Sequence, residues 1–131
     1  MGALNKKTGN YEAICKYIYL GEIYSTTYRI GTGFSDEDLA NLTESLKDFQ
    51  LNEKPANYRL SKTLKPDVWF TPSQVWEIEC DKLSLSLIYQ IGRNVIDPER
   101  GLSLRFPRFI RLRSDKTVND STLTSEVNFL F

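Results

Sequence analysis

The run LSLRFPRFIRLRSDK, residues 102–116, concentrates the chain's positive charge on a stretch broken by aromatic residues. It holds Arg105, Arg108, Arg111, Arg113 and Lys116 against a single acid, Asp115. Read as an extended strand, it sends alternate side chains to opposite faces. Leu102, Leu104, Phe106, Ile110 and Leu112 then share a core-facing side interrupted by Arg108, while Arg105, Phe109, Arg111 and Arg113 share the other. Pro107 has no N–H to offer a ladder, which predicts an edge or a bulge at that point. A basic strand alone is often only a solvated face with Arg stems lying over apolar neighbours. Phe106 and Phe109, interleaved with guanidinium groups, favour instead a surface that stacks or wedges against nucleic acid.

Moving upstream, residues 93–101 read as a loop through Asp97-Pro98 and Gly101. Residues 75–87, VWEIECDKLSLSL, alternate as a strand with a slip of phase near Asp81-Lys82 that a bulge would explain. Glu77 and Glu79 lie opposite Trp76 and Ile78; they are candidates for acid/base chemistry, although solvated acids are the simpler reading. The proline-bracketed run Pro66 to Pro72 reads as a turn or loop with Trp69 packed beneath it, and Tyr58 to Leu60 as a short extended piece. Ser35 followed by Asp36, Glu37 and Asp38 is a helix start, with a capping hydroxyl and acids where the dipole favours them. Leu39, Leu42, Leu46 and Phe49 supply its apolar stripe. A dinucleotide fingerprint at Gly31-x-Gly33 would need glycine at position 36, where Asp36 stands. Residues 11–20 and 23–30 predict a hairpin around Gly21-Glu22, and Asn5 to Gly9 a turn between short strands that presents Lys6 and Lys7.

Composition narrows the chemistry. One domain spanning 1–131 is expected from 131 residues, and 40% hydrophobic content can fill one core. Seventeen basic and seventeen acidic residues cancel, so any polyanion binding requires segregated charge. With no histidine, His-based general-base catalysis, Ser-His triads and His metal ligands are excluded. Cys15 and Cys80 are too few for zinc, which takes about four ligands, and are expected to be free buried thiols. No run approaches the roughly 18 apolar residues of a membrane span, and Lys6 stands where a myristoylation signal needs Ser or Thr. Several short strands with an inserted helix fit an oligonucleotide-binding barrel or a small β-sandwich, and element order alone does not separate them.

The run RFPRFIRLRSDK resembles motif VI of the ATP-dependent DNA ligases, matching an R-F-P-R lead-in and an R-x-R-x-D-K core at Arg111, Arg113, Asp115 and Lys116. GTGFSDEDL, PDVWFTPSQVWEIEC and LSLSLIY also resemble stretches of the eukaryotic type I replicative ligases and their archaeal relatives. The resemblance spans roughly Gly2 to Phe131 and implies an all-β OB-fold, a five-stranded Greek-key barrel, at the C-terminal end of such an enzyme. It further implies that a strand before the first turn and the end of a terminal helix beginning near Ser121 fall outside the sequence.

By the same resemblance the full enzyme uses ATP and Mg2+, neither bound tightly by this domain alone. It seals nicked duplex DNA in replication and repair, in the nucleus and as a monomer. The nucleophilic lysine, in a K-x-D-G motif, belongs to a separate adenylylation domain. This sequence contains no Asp-Gly pair, so the chain is expected to be inactive alone. Arg111, Arg113 and Lys116 correspond to the groups on the ATP phosphates, with Asp115 orienting a neighbouring cation. Arg105, Phe106 and Arg108, with Lys6 and Lys7, correspond to DNA contacts. The competing expectation is a non-catalytic single-strand-binding barrel, which would have no need of the Asp-Lys ending.

Overall fold

The structure is a computed structural model that describes residues 2–5, 12–19, 23–59, 62–63, 65–89, 91–121 and 126, with side chains from residue 30 onward. Aromatic and β-branched residues favour extended chain. They give β2 (Glu12–Tyr19) and β3 (Ile23–Ile30), which with β1 (Gly2–Asn5) form an antiparallel meander in which Ala13 faces both Leu4 and Ile30. The predicted hairpin is therefore present and β2 is an interior strand. Its register slips once, since Cys15 faces Tyr28 whereas Lys16 faces Thr26, leaving Thr27 as an extra residue that bends the pair.

Helix α1 (Asp36–Leu46) starts where the capping signals place it. Ser35 Oγ accepts the Asp38 N–H at 3.0 Å, and the Asp38 carboxylate accepts the Ser35 N–H at 2.9 Å. Leu42 and Leu46 are buried, but Phe49 stays exposed. Residues Lys47–Phe49 tighten into a 3-10 turn, at about 3.0 rather than about 3.6 residues per turn, which carries Phe49 off the stripe.

The chain then forms β4 (Gln50–Leu51), β5 (Tyr58–Arg59) and β6 (Val68–Phe70), completing a six-stranded sheet of order β4-β6-β1-β2-β3-β5. The proline-bracketed loop expected over 66–72 thus holds a three-residue strand at its centre. Its prolines stand outside the three residues whose backbones pair with β1 and β4, so neither removes a donor from the ladder. Phe70 enters the core, whereas Trp69 is half-buried against the Tyr58 ring. Tyr58 is itself buried and donates its hydroxyl to the Phe70 carbonyl, which satisfies the polar end of that side chain.

Four further strands make two ladders: β7 (Trp76–Glu79) with β10 (Arg108–Leu112), and β8 (Lys82–Ser86) with β9 (Gly101–Arg105). Both sides of this ribbon break at one level, between Glu79 and Lys82 and between Arg105 and Arg108. The slip predicted near Asp81 is this break, bridged by an Asp81 N–H bond to the Arg105 carbonyl at 3.0 Å.

Ile30, Leu42, Leu46, Phe70, Leu104 and Phe109 form the main core, and Ile91 with Leu102 a smaller one. The fold is all-β with one helix, and β3 lies against β9. Among the described residues the ladders form three separate sheets and do not close into the five-stranded barrel that was expected. No helix among them is long and apolar enough to cross a membrane. The Cys80 thiol is free, and its partial burial raises its pKa; the thiol of Cys15, Lys6, Lys7 and the terminal helix, apart from Glu126, lie outside the described residues.

Candidate functional site

The motif stretch is two strands joined by an exposed turn. Phe106 adopts φ 56°, a left-handed conformation that a bulky side chain rarely takes without being forced. The Phe106 ring is 64% exposed, with the Arg105 guanidinium 5.5 Å from its centroid. The turn is braced from behind by the Gly31-Thr32-Gly33 segment. Thr32 Oγ1 donates to the Pro107 carbonyl at 3.1 Å, and the Phe109 N–H donates to the Thr32 carbonyl at 2.9 Å. Gly33 has φ +89°, and a Cβ there would meet the Phe109 carbonyl oxygen at 2.3 Å, so the contact requires a residue without a side chain.

This turn overturns the simple alternation expected for the stretch. Phe109 is buried, stacked on Phe34 at 4.6 Å and edge-on to Trp76 at 5.3 Å, while Phe106, Ile110 and Leu112 face outward. Two irregularities reverse the phase: the left-handed turn at Phe106-Pro107, and a bulge that places Phe109 opposite Ile78 but Arg111 opposite Glu77, with Ile110 as the extra residue. The break expected at Pro107 is there.

On either side of the bulge the arginines meet carboxylates from β7, from Asp81 just after it and from Asp115 beyond β10. Arg111 Nε donates to Glu77 Oε2 at 2.5 Å, and Arg113 NH1 stands 3.7 Å from the same oxygen. Arg113 also grips Asp115 with two bonds of 2.9 Å. Arg108 reaches Asp81 at 3.0 Å and Glu79 at 3.3 Å. Glu77 and Glu79 are therefore ion-pair partners rather than merely solvated acids or an acid/base pair. The hydrogen bond from Arg113 holds the Asp115 carboxyl down at about 2. The bond from Arg111 likewise lowers Glu77, and the bond to Asp81 raises Arg108.

These guanidinium groups lie at the surface, their side chains 22–60% exposed, and none is folded into the core. Arg111 is the most open, its side chain 60% exposed, whereas Arg113 is largely covered. Arg105 and Lys116 have no carboxylate partner among the described residues. The ribbon thus brings Arg105, Phe106 and Arg108 together at its corner, and Arg111, Arg113, Asp115 and Lys116 toward its far end. Sequence reasoning missed the bracing role of Thr32 and Gly33 and the pairing role of Glu77 and Asp81. The available signal was cross-strand complementarity: acids at 77 and 79 and arginines at 111 and 113 share an every-second-residue spacing, as facing strands do.

Residues 6–116 match the family described as the ATP dependent DNA ligase C terminal region, and the chain belongs to that family. Among individual relatives, it is 44% identical to DNA ligase 1 of Dictyostelium discoideum over 93% of its own length and 10% of that protein's. It is 41% identical to DNA ligase 1 of Drosophila melanogaster, covering 96% of this chain and 17% of the relative. An archaeal relative, the DNA ligase of Sulfophobococcus zilligii, is 40% identical over 93% of this chain and 20% of its own. The chain therefore spans only a tenth to a fifth of the length of these proteins.

Proposed function

We propose that residues 1–131 form the C-terminal oligonucleotide-binding domain of an ATP-dependent DNA ligase of the eukaryotic replicative type, with the three sheets acting as an open version of the five-stranded barrel. The domain serves nick sealing in two ways. In the first, Arg111, Arg113 and Lys116 hold the phosphates of ATP while a lysine of the adenylylation domain attacks the α-phosphate. Charge develops on the departing pyrophosphate, and planar guanidinium forks stabilise it in pairs of hydrogen bonds. Asp115 fixes Arg113 for this task through its two-bond clasp.

In the second, Arg105, Phe106 and Arg108 meet duplex DNA at the nick, with Phe106 as an apolar wedge in the minor groove and the arginines on backbone phosphates. Lys6 and Lys7 belong to the same DNA surface. The two roles require the domain to change its placement between steps. The exposed, left-handed Phe106 carries this reading, because no core contact accounts for presenting a bulky ring to solvent in a strained backbone.

The surface guanidiniums and Lys116 are a donor set suited to a polyphosphate. The Mg2+ that the full enzyme uses would accompany the ATP phosphates that this donor set meets. The working protein is a monomer of the nucleus that acts on nicked duplex DNA.

Rapid-quench assays of the full-length ligase test the division of labour. Arg111→Ala or Lys116→Ala is expected to reduce enzyme-AMP formation by about 100-fold or more while sparing the sealing of DNA that is already adenylylated. Phe106→Ala is expected to do the reverse. Normal adduct formation by Arg111→Ala would rule out the phosphate role.

A further inference from the structure

We propose that Glu77 is a placeholder for phosphate: its carboxylate keeps Arg111 and Arg113 converged on one point and must release Arg111 when a nucleotide's phosphates arrive. The inference rests on the functional reading above and adds to it a positioning residue supplied by another strand. One oxygen, Oε2, lies 2.5 Å from Arg111 Nε and 3.7 Å from Arg113 NH1, so two guanidiniums already converge on an anionic oxygen. A carboxylate oxygen and a phosphate oxygen ask the same geometry of an arginine fork. Glu77 presents a full negative charge at neutral pH, since the Arg111 bond lowers its pKa.

Glu77 is also well placed to let go. Its β7 neighbours, Trp76 and Ile78, pack against the main core, so the carboxylate is anchored on a rigid strand. Arg111, in contrast, ends in solvent and, among the described residues, is paired with Glu77 alone, through Nε. An exposed pair of this kind is held weakly and exchanges readily. A triphosphate brings several charges where Glu77 brings one, and it displaces the carboxylate from Arg111. Arg113 stays clasped to Asp115 and serves as the fixed member. The carboxylate therefore keeps the arginines from splaying apart but competes with the ligand they are meant to take.

Competition and simple scaffolding give opposite signs. If Arg111 is free of Glu77 in roughly 10–30% of molecules, removing the competing charge should tighten phosphate binding by about three- to tenfold. In the full-length ligase, Glu77→Gln, which keeps the shape and loses the charge, is expected to lower the ATP concentration for half-maximal enzyme-AMP formation by that factor. The maximal adenylylation rate should stay within about twofold. Inorganic tripolyphosphate, which carries the phosphates without the nucleoside, should compete with ATP more strongly by the same factor. A half-saturating ATP concentration that is unchanged or higher in Glu77→Gln would overturn the placeholder role. Arg111→Ala measured alongside separates the two ideas. Lost adduct with Arg111→Ala but no gain with Glu77→Gln refutes the placeholder alone, and an intact adduct with Arg111→Ala refutes the phosphate reading beneath it.

Discussion

The corner of the ribbon at Phe106 and its far end at Arg111–Asp115 are held by different forces. Backbone contacts fix the corner: Thr32 bonds Pro107 and Phe109, and Gly33 closes against Phe109 with no room for a methyl group. Charge pairing at the surface holds the far end, with Arg111 and Arg113 facing Glu77 and Asp115, and at the corner it only adds the pairs of Arg108 with Glu79 and Asp81. Steric closure permits one conformation and resists exchange, as the wedge role proposed for Phe106 requires. Exposed ion pairs are individually weak and replaceable, as the proposed exchange of Arg111 between Glu77 and a phosphate requires.

The strongest break in this contrast should come from Gly33→Ala. The substitution imposes an unfavourable φ and forces a methyl group into the Phe109 backbone, for an expected loss of about 2–4 kcal/mol in unfolding free energy by urea titration. A smaller effect is expected from Thr32→Val, which deletes the hydroxyl bond to Pro107. It should cost about 1 kcal/mol and weaken binding to nicked duplex, while enzyme-AMP formation stays normal; equal loss in both assays would mean that corner and far end are mechanically one unit.

The smallest effect belongs to the charged end. Asp115 has its pKa lowered from 3.8 to about 2 by the Arg113 hydrogen bond. A carboxylate depressed in the folded state adds stability that is complete above the unfolded value and fades as pH falls through the folded one. Asp115→Asn should therefore flatten the decline of melting temperature between about pH 4 and pH 2, with a gentle slope because the pair is open to solvent. No change of slope would show that the clasp contributes nothing to folding.

What was legible in the sequence was mostly local. The Ser35 cap, the helix that follows and the break at Pro107 each depend on residues within a few positions, and each is present. Residues 66–72 misled because two prolines dominate the local reading, although the ladder needs only Val68, Trp69 and Phe70 of the five residues between them. The faces of the motif strand were misassigned because alternation assumes an unbroken strand, and one left-handed residue plus one bulge reversed it. Resemblance pointed to the cations and to Asp115 beside them, but not to their partners across the ladder. Glu77 lies 34 positions from Arg111, and only strand pairing brings them together.

The matched breaks in the two ladders have one more consequence. Because β7–β10 and β8–β9 meet at a single joint, clipped by the Asp81 to Arg105 backbone bond, the ribbon is two short ladders joined end to end. An inserted or deleted residue at that joint would rotate one tool relative to the other without unfolding either ladder. The span from Arg105 to Arg111 should thus tolerate changes of side chain far better than any change of length.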